Sequence, residues 1–141
     1  MDQQILQIET AGRDFVEITA AVQRAVAASD TDVGLCHLFL RHTSASLCIT
    51  ENAAPAVRVD LETWAGELAP DSHSRYRHDD EGPDDMPAHI RSLVAGIELT
   101  VPIRDGALLL GTWQGIYVWE HRHDAHRRSV VVTVHGERRA R

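Results

Sequence analysis

Glu98-Leu-Thr-Val-Pro-Ile-Arg-Asp-Gly-Ala-Leu-Leu-Leu110 decides the fold class. Two apolar runs, Glu98 to Ile103 and Ala107 to Leu110, flank Arg104-Asp-Gly106. An Asp-Gly pair between such runs signals a tight hairpin. A short turn joins antiparallel neighbours, whereas parallel strands need a crossover of a dozen or more residues. Downstream, Ile116 to His121 and Ser129 to His135 read as strands with short connections. Upstream, Val33 to Arg41 reads as a largely buried strand, with Leu35, His37 and Phe39 on one face and Cys36, Leu38 and Leu40 on the other. Leu47 to Thr50 reads as a short strand. Gln4 to Glu9 alternates as a strand does, and Asp14 to Ile18 is its expected hairpin partner, with Gly12 in the turn.

Three helices are expected. Thr19 reads as the N-cap of an alanine-rich helix over Ala20 to Ala28. Asn52 and Pro55 signal a second, running to about Leu68, with Val57, Leu61, Trp64 and Leu68 as its buried face. Met86 to Ala95 reads as a third, with Pro87 in its first turn and Gly96 at its end. The expected fold is a single α+β domain over residues 1–141, a predominantly antiparallel sheet or sandwich with about three helices packed against it.

The chain has 141 residues, 43% of them hydrophobic and 25% charged, the balance of a globular protein. A net charge of −7, from 21 acidic and 14 basic residues, argues against nucleic acid and anionic membrane as partners. The basic segment ending Glu137-Arg-Arg-Ala-Arg141 reads as a solvated terminus. No run is long enough to span a bilayer and no signal peptide is visible, so a cytoplasmic location is expected. Every basic residue is arginine, which excludes a Schiff-base or P-loop lysine. Cys36 and Cys48 stand apart from any C-x-x-C pair and read as buried reduced thiols.

Three clusters bear chemistry. Tyr76-Arg-His-Asp-Asp-Glu-Gly-Pro-Asp-Asp-Met-Pro-Ala-His89 combines two imidazoles with five carboxylates. Such groups ligate cations, orient imidazoles or move protons. His89 falls between Met86 and Leu93 on the expected apolar face of its helix. The bland alternative is a solvated acidic loop. The second cluster is His42-Thr-Ser-Ala-Ser46 with Glu51-Asn52. Its hydroxyls and amides suit an anion, or Ser44 or Ser46 is a nucleophile with His42 as base, or it is a plain Ser/Thr turn. The third is Gly111-Thr-Trp-Gln-Gly115 with Tyr117 and Glu120-His121. Trp113 suits stacking on a planar ligand, a place in the core or a subunit contact, and His121 is the choice for a third imidazole. His123 and His126 read as surface residues, His37 and His135 as structural, and His73 as loop decoration.

Read together and in order, these motifs resemble the YjbQ-like family, whose usual name is secondary thiamine-phosphate synthase. The resemblance rests on His42-Thr-Ser-Ala-Ser46 with Glu51-Asn52-Ala53, on His78-Asp-Asp-Glu81-Gly-Pro-Asp-Asp-Met-Pro-Ala-His89, and on Gly111-Thr-Trp-Gln-Gly-Ile-Tyr117 with Glu120-His121-Arg122. It covers essentially the whole chain.

The resemblance implies an α+β homotrimer with a His-rich site able to hold a divalent metal, zinc or magnesium. It places His78, His89 and His121 as metal ligands and His42, Ser44, Glu81, Asp84 and Asp85 as catalytic residues. Thr43, Ser46, Glu51, Asn52, Trp113 and Gln114 would bind a small phosphorylated substrate. The implied reaction joins hydroxymethylpyrimidine diphosphate to thiazole phosphate and releases diphosphate. Two alternatives stand beside this transferase: a metal-dependent hydrolase of a phosphate ester, and a non-catalytic trimeric binder of a small anion.

Overall fold

In the computed structural model, which describes residues 1–140, eight strands and three helices follow the order β1 (Asp2–Glu9), β2 (Asp14–Glu17), α1 (Thr19–Ala28), β3 (Thr31–Leu40), β4 (Ala45–Glu51), α2 (Pro55–Leu68), α3 (Asp85–Ala95), β5 (Glu98–Arg104), β6 (Ala107–Leu108), β7 (Gln114–Glu120) and β8 (Arg127–Arg138). They form two antiparallel sheets, one ordered β1-β8-β3-β5-β6 and the other β2-β7-β4. The α+β architecture expected from the sequence is present. The β5–β6 turn carries positive φ at both Asp105 (53°) and Gly106 (75°), as a two-residue hairpin demands.

The core lies between the sheets. Cys36, Leu38 and Leu40 of β3, with Val130, Val132 and Val134 of β8, supply the inner face of the larger sheet. Leu47, Ile116 and Val118 face them from the smaller one, and Val22 and Val26 of α1 close the core. The alternation read in β3 follows this pleat, since Leu35 and Phe39 lie on the solvent side. Gly34 and Gly136 face each other across β3 and β8. A methyl group at Gly34 would stand 2.2 Å from the His135 carbonyl oxygen, so the backbones approach as only glycine permits.

Several local expectations fail for reasons of packing. Asp14–Glu17 does not pair with the first strand; β1 joins β8, and β2 crosses to β7 in the other sheet. Thr19 is no N-cap: it lies within α1, and its hydroxyl accepts the Ile116 N–H at 2.9 Å. In α2 only Ala65 is buried; Val57 and Leu61 are half-buried on the same side, while Trp64 and Leu68 stay about half exposed, so only part of the expected apolar face packs. In α3 the buried side is Asp85, Ala88, Arg91 and Ser92, while Leu93 is 86% exposed. His37 and His135 stand in β3 and β8 as expected and lie toward solvent, His37 beside Glu98. Cys36 is a buried thiol and Cys48 a partly buried one, both free.

Arg139 stays on the structure, donating to the Asp105 carbonyl at 2.7 Å, while the last residue of the expected tail, Arg141, lies outside the described residues. Among the described residues, no helix is long and apolar enough to cross a membrane. Helices α2 and α3 meet over Trp119 on the outer side of the smaller sheet, where Glu62 of α2 accepts from both Trp119 Nε1 (2.9 Å) and Arg91 Nη1 (2.5 Å). That polar bridge gives a partner to Arg91, one of the polar residues that α3 buries.

Candidate metal centre

Asp85 opens α3, and His89 follows one turn later on the same side, because residues four apart are neighbours on a helix. The loop before the helix returns His78 to meet them. Both imidazoles approach one oxygen: His78 Nε2 lies 2.7 Å and His89 Nε2 3.0 Å from Asp85 Oδ2. One donor atom from each of the three residues falls within 4.8 Å of the others, a spacing suited to a single metal ion.

The surroundings orient each donor. His89 Nδ1 lies 2.9 Å from the Thr43 carbonyl oxygen. A carbonyl only accepts, so Nδ1 carries a proton and Nε2 is the ring nitrogen turned to Asp85. Asp85 Oδ1 accepts from Arg122 Nη1 at 2.8 Å, which leaves Oδ2 facing the imidazoles. Burial works against ionisation of Asp85, but the His78 hydrogen bond and the charges of His89 and Arg122 outweigh it, and its pKa falls below the ordinary value. The Asp85 hydrogen bond raises the His78 pKa, against partial desolvation, with Asp80 and Glu81 adding to the rise.

A second layer holds the first. Asp84 accepts from Arg122 Nε (3.1 Å) and from the His123 backbone N–H (2.8 Å). Arg122 also donates to the Glu81 carbonyl at 3.0 Å, pinning the loop. The Arg122 backbone N–H in turn donates to Glu120, which is fully buried and ion-paired with Arg128. Burial disfavours the Glu120 carboxylate, yet hydrogen bonds from Arg128, Arg122 and Thr10 keep its pKa low.

The remaining site residues expected from the sequence are distributed around and away from this centre. His121 is not among the donors: it is fully buried, its Nε2 lies 2.7 Å from Ser46 Oγ, and its ring packs against Trp119. Burial, then the charges of Arg91, Arg13 and Arg128, push its pKa down to about 3, so it is a neutral imidazole. Ser44 accepts from Arg128 at 3.0 Å. His42 does not meet Ser44; its Nε2 accepts the Ser129 N–H at 2.8 Å, and burial followed by the Arg128 charge lowers its pKa. The Glu81 side chain is exposed. Thr43 contributes its carbonyl rather than its hydroxyl.

Glu51, Asn52, Trp113 and Gln114 cluster at the other end of the β4–β7 pair, where Glu51 is in register with Gln114. Ala45, at the histidine end of β4, lies six residues back along the strand, about 20 Å at the rise of an extended chain. There Glu51 Oε2 accepts the Ala53 and Ala54 N–H groups, Gln114 accepts from Gly111, and Trp113 is 62% exposed. Within one chain these four are not part of the histidine site. Sequence reasoning missed Arg122 and the Thr43 carbonyl. Arg122 had a signal, lying next to His121 in the third motif; a backbone carbonyl leaves none.

Residues 4–137 match the family model described as UPF0047 protein YjbQ-like. The chain belongs to the YjbQ-like family. A UPF0047 protein of Synechocystis is 49% identical over 135 residues, covering 96% of this chain and 92% of its own. The YjbQ protein of Escherichia coli O157:H7 is 40% identical over 136 residues, covering 96% and 98%. A crystal structure from Clostridium acetobutylicum, described as an uncharacterized conserved protein of the YjbQ/UPF0047 family, superposes with TM-score 0.86 at 34% identity over 94% of this chain and 99% of that one. A conserved hypothetical protein from Thermus thermophilus gives TM-score 0.85, also at 34% identity and with the same coverage. These descriptions correct the expected activity. These relatives of the YjbQ-like chain carry family names and no reaction, and none supports thiamine-phosphate synthase activity.

Proposed function

We propose that His78, Asp85 and His89 bind one divalent transition-metal ion and leave part of its coordination sphere open to small ligands. The observation that carries this reading is the 3.0 Å contact between His89 Nε2 and Asp85 Oδ2. With Nδ1 committed to the Thr43 carbonyl, Nε2 is the nitrogen that meets the carboxylate oxygen. Two acceptors at that distance repel unless a cation or an additional proton lies between them.

Two imidazoles and one carboxylate favour zinc or a similar ion over magnesium, which prefers oxygen donors. Three protein ligands leave a four-coordinate ion one position for water or an exogenous group. When bound, such an ion acidifies its water and polarises a ligand oxygen. The protein's part is orientation: Thr43 sets the His89 tautomer, Arg122 aims Asp85, and the Glu81 carbonyl ties the loop bearing His78 to Arg122.

Metal content after zinc loading and dialysis, together with calorimetric titration, tests the proposal. One ion per chain is expected, with binding lost in Asp85→Asn and weakened at least about hundredfold in His89→Ala. Equal zinc content in wild type and both variants would sink the assignment.

A further inference from the structure

A cleft of about 350 Å³ opens beside the metal centre, between the His42–Thr43 segment and the C-terminal half of α3. Its wall is almost wholly carbon, from Leu93, Ile97, Gly96 and the sides of His42 and His89. His89 is common to both sites: it lines the cleft while its Nε2 faces Asp85. Leu93 stands on the cleft 86% exposed, on a helix whose buried side is polar. A leucine so placed gains from being covered. The cleft that includes His78 is bordered by Ser72, Ser74, Tyr76 and Asp79 and is of mixed character, with a larger polar share. The cleft at His89 is therefore the more apolar of the two, and this asymmetry favours one orientation of a ligand.

We infer that the ligand exchanged at the ion is a small amphipathic molecule, a metal-seeking oxygen group joined directly to a planar or branched hydrocarbon group that seats in the Leu93 cleft. This rests on the metal-site reading above. The direct junction follows from His89 serving both, since its ring lines the cleft while its Nε2 meets Asp85. The volume falls within the range of small-molecule pockets and holds one ring-sized group with room to spare.

Two hydroxamates with the same chelating group test the inference. Zinc-loaded protein is titrated with acetohydroxamate and benzohydroxamate, and the zinc content of each sample is measured in parallel. Benzohydroxamate should bind at least about tenfold more tightly, from burial of its ring. Leu93→Asp, a change at an exposed position, should bring the ratio of affinities close to one. If zinc is held but the two ligands bind alike, or the ratio survives in Leu93→Asp, the cleft is not the subsite and the metal site stands. If zinc is not held at all, the metal reading fails and this inference fails with it.

Discussion

Arg122 holds Asp85 from the side away from the histidines, its Nη1 donating to Oδ1 at 2.8 Å. The same guanidinium reaches Asp84 and the Glu81 carbonyl, so one side chain sets both the ligand and the loop before it. Arg122 is thus a positioning residue. Arg122→Ala should weaken zinc binding about 10- to 100-fold while all three ligands remain, and Arg122→Lys should recover only part of it, lacking the planar fork. Competition with a chromophoric chelator measures this. Unchanged affinity in the alanine variant would remove Arg122 from the site.

His78 makes metal uptake depend on pH. The ion needs the imidazole deprotonated, and Asp85, opposed by partial desolvation and assisted by Asp80 and Glu81, raises the His78 pKa above its ordinary 6.5. Protons therefore compete with the ion through pH 6.5 and beyond, so affinity should climb with pH and level only above that value. Asp80 Oδ1 lies 3.4 Å from His78 Nδ1. Asp80→Asn should move the plateau to lower pH. A plateau already reached below about pH 6 in the wild type would contradict the placement of His78 as a ligand.

What the sequence made legible follows from locality. The β5–β6 hairpin and the pleat of β3 were readable because turn chemistry and alternation are properties of neighbouring residues. The partner of β2 was not, since its pairing with β7 joins residues about a hundred positions apart. His78, Asp85 and His89 stood out because one loop and one helical turn carry all three. His89 shares an apolar side with Leu93, as the spacing implies, but that side of α3 is open rather than packed against the core. Leu93 faces solvent, and α3 buries Arg91 and Ser92 because Glu62 and the Ala45 carbonyl satisfy them. Arg128 carries no local signal of burial, because its counter-charge Glu120 comes from the neighbouring strand β7.

His121 ties stability to acid. Its folded pKa is depressed to about 3 by burial and by Arg91, Arg13 and Arg128, while in the unfolded chain it titrates near 6.5. Below pH 6.5 the unfolded state takes up a proton that the native state refuses. The contribution is fully present above that pH and declines as pH falls toward 3, by about 1.4 kcal/mol per pH unit. His121→Leu removes it. Urea unfolding should show the variant gaining on wild type by about that slope between about pH 6 and about pH 4. Parallel stability curves would show that His121 is protonated in the native protein.

Glu120 and Arg128 are 0% and 4% exposed, and each is the other's counter-charge. Glu120→Gln leaves the Arg128 guanidinium buried without an anion, a loss of about 3 to 5 kcal/mol in systems of this kind. Replacing both, Glu120→Leu with Arg128→Met, should recover most of the stability, because neither charge is then stranded. The two variants nevertheless share one defect. Both weaken or remove the acceptor for the Arg122 backbone N–H, which Glu120 Oε1 meets at 3.0 Å. Arg122 then aims Asp85 less firmly, so the stable double variant should still bind zinc more weakly than wild type. Wild-type affinity in a fully folded double variant would show that the buried pair serves the fold alone.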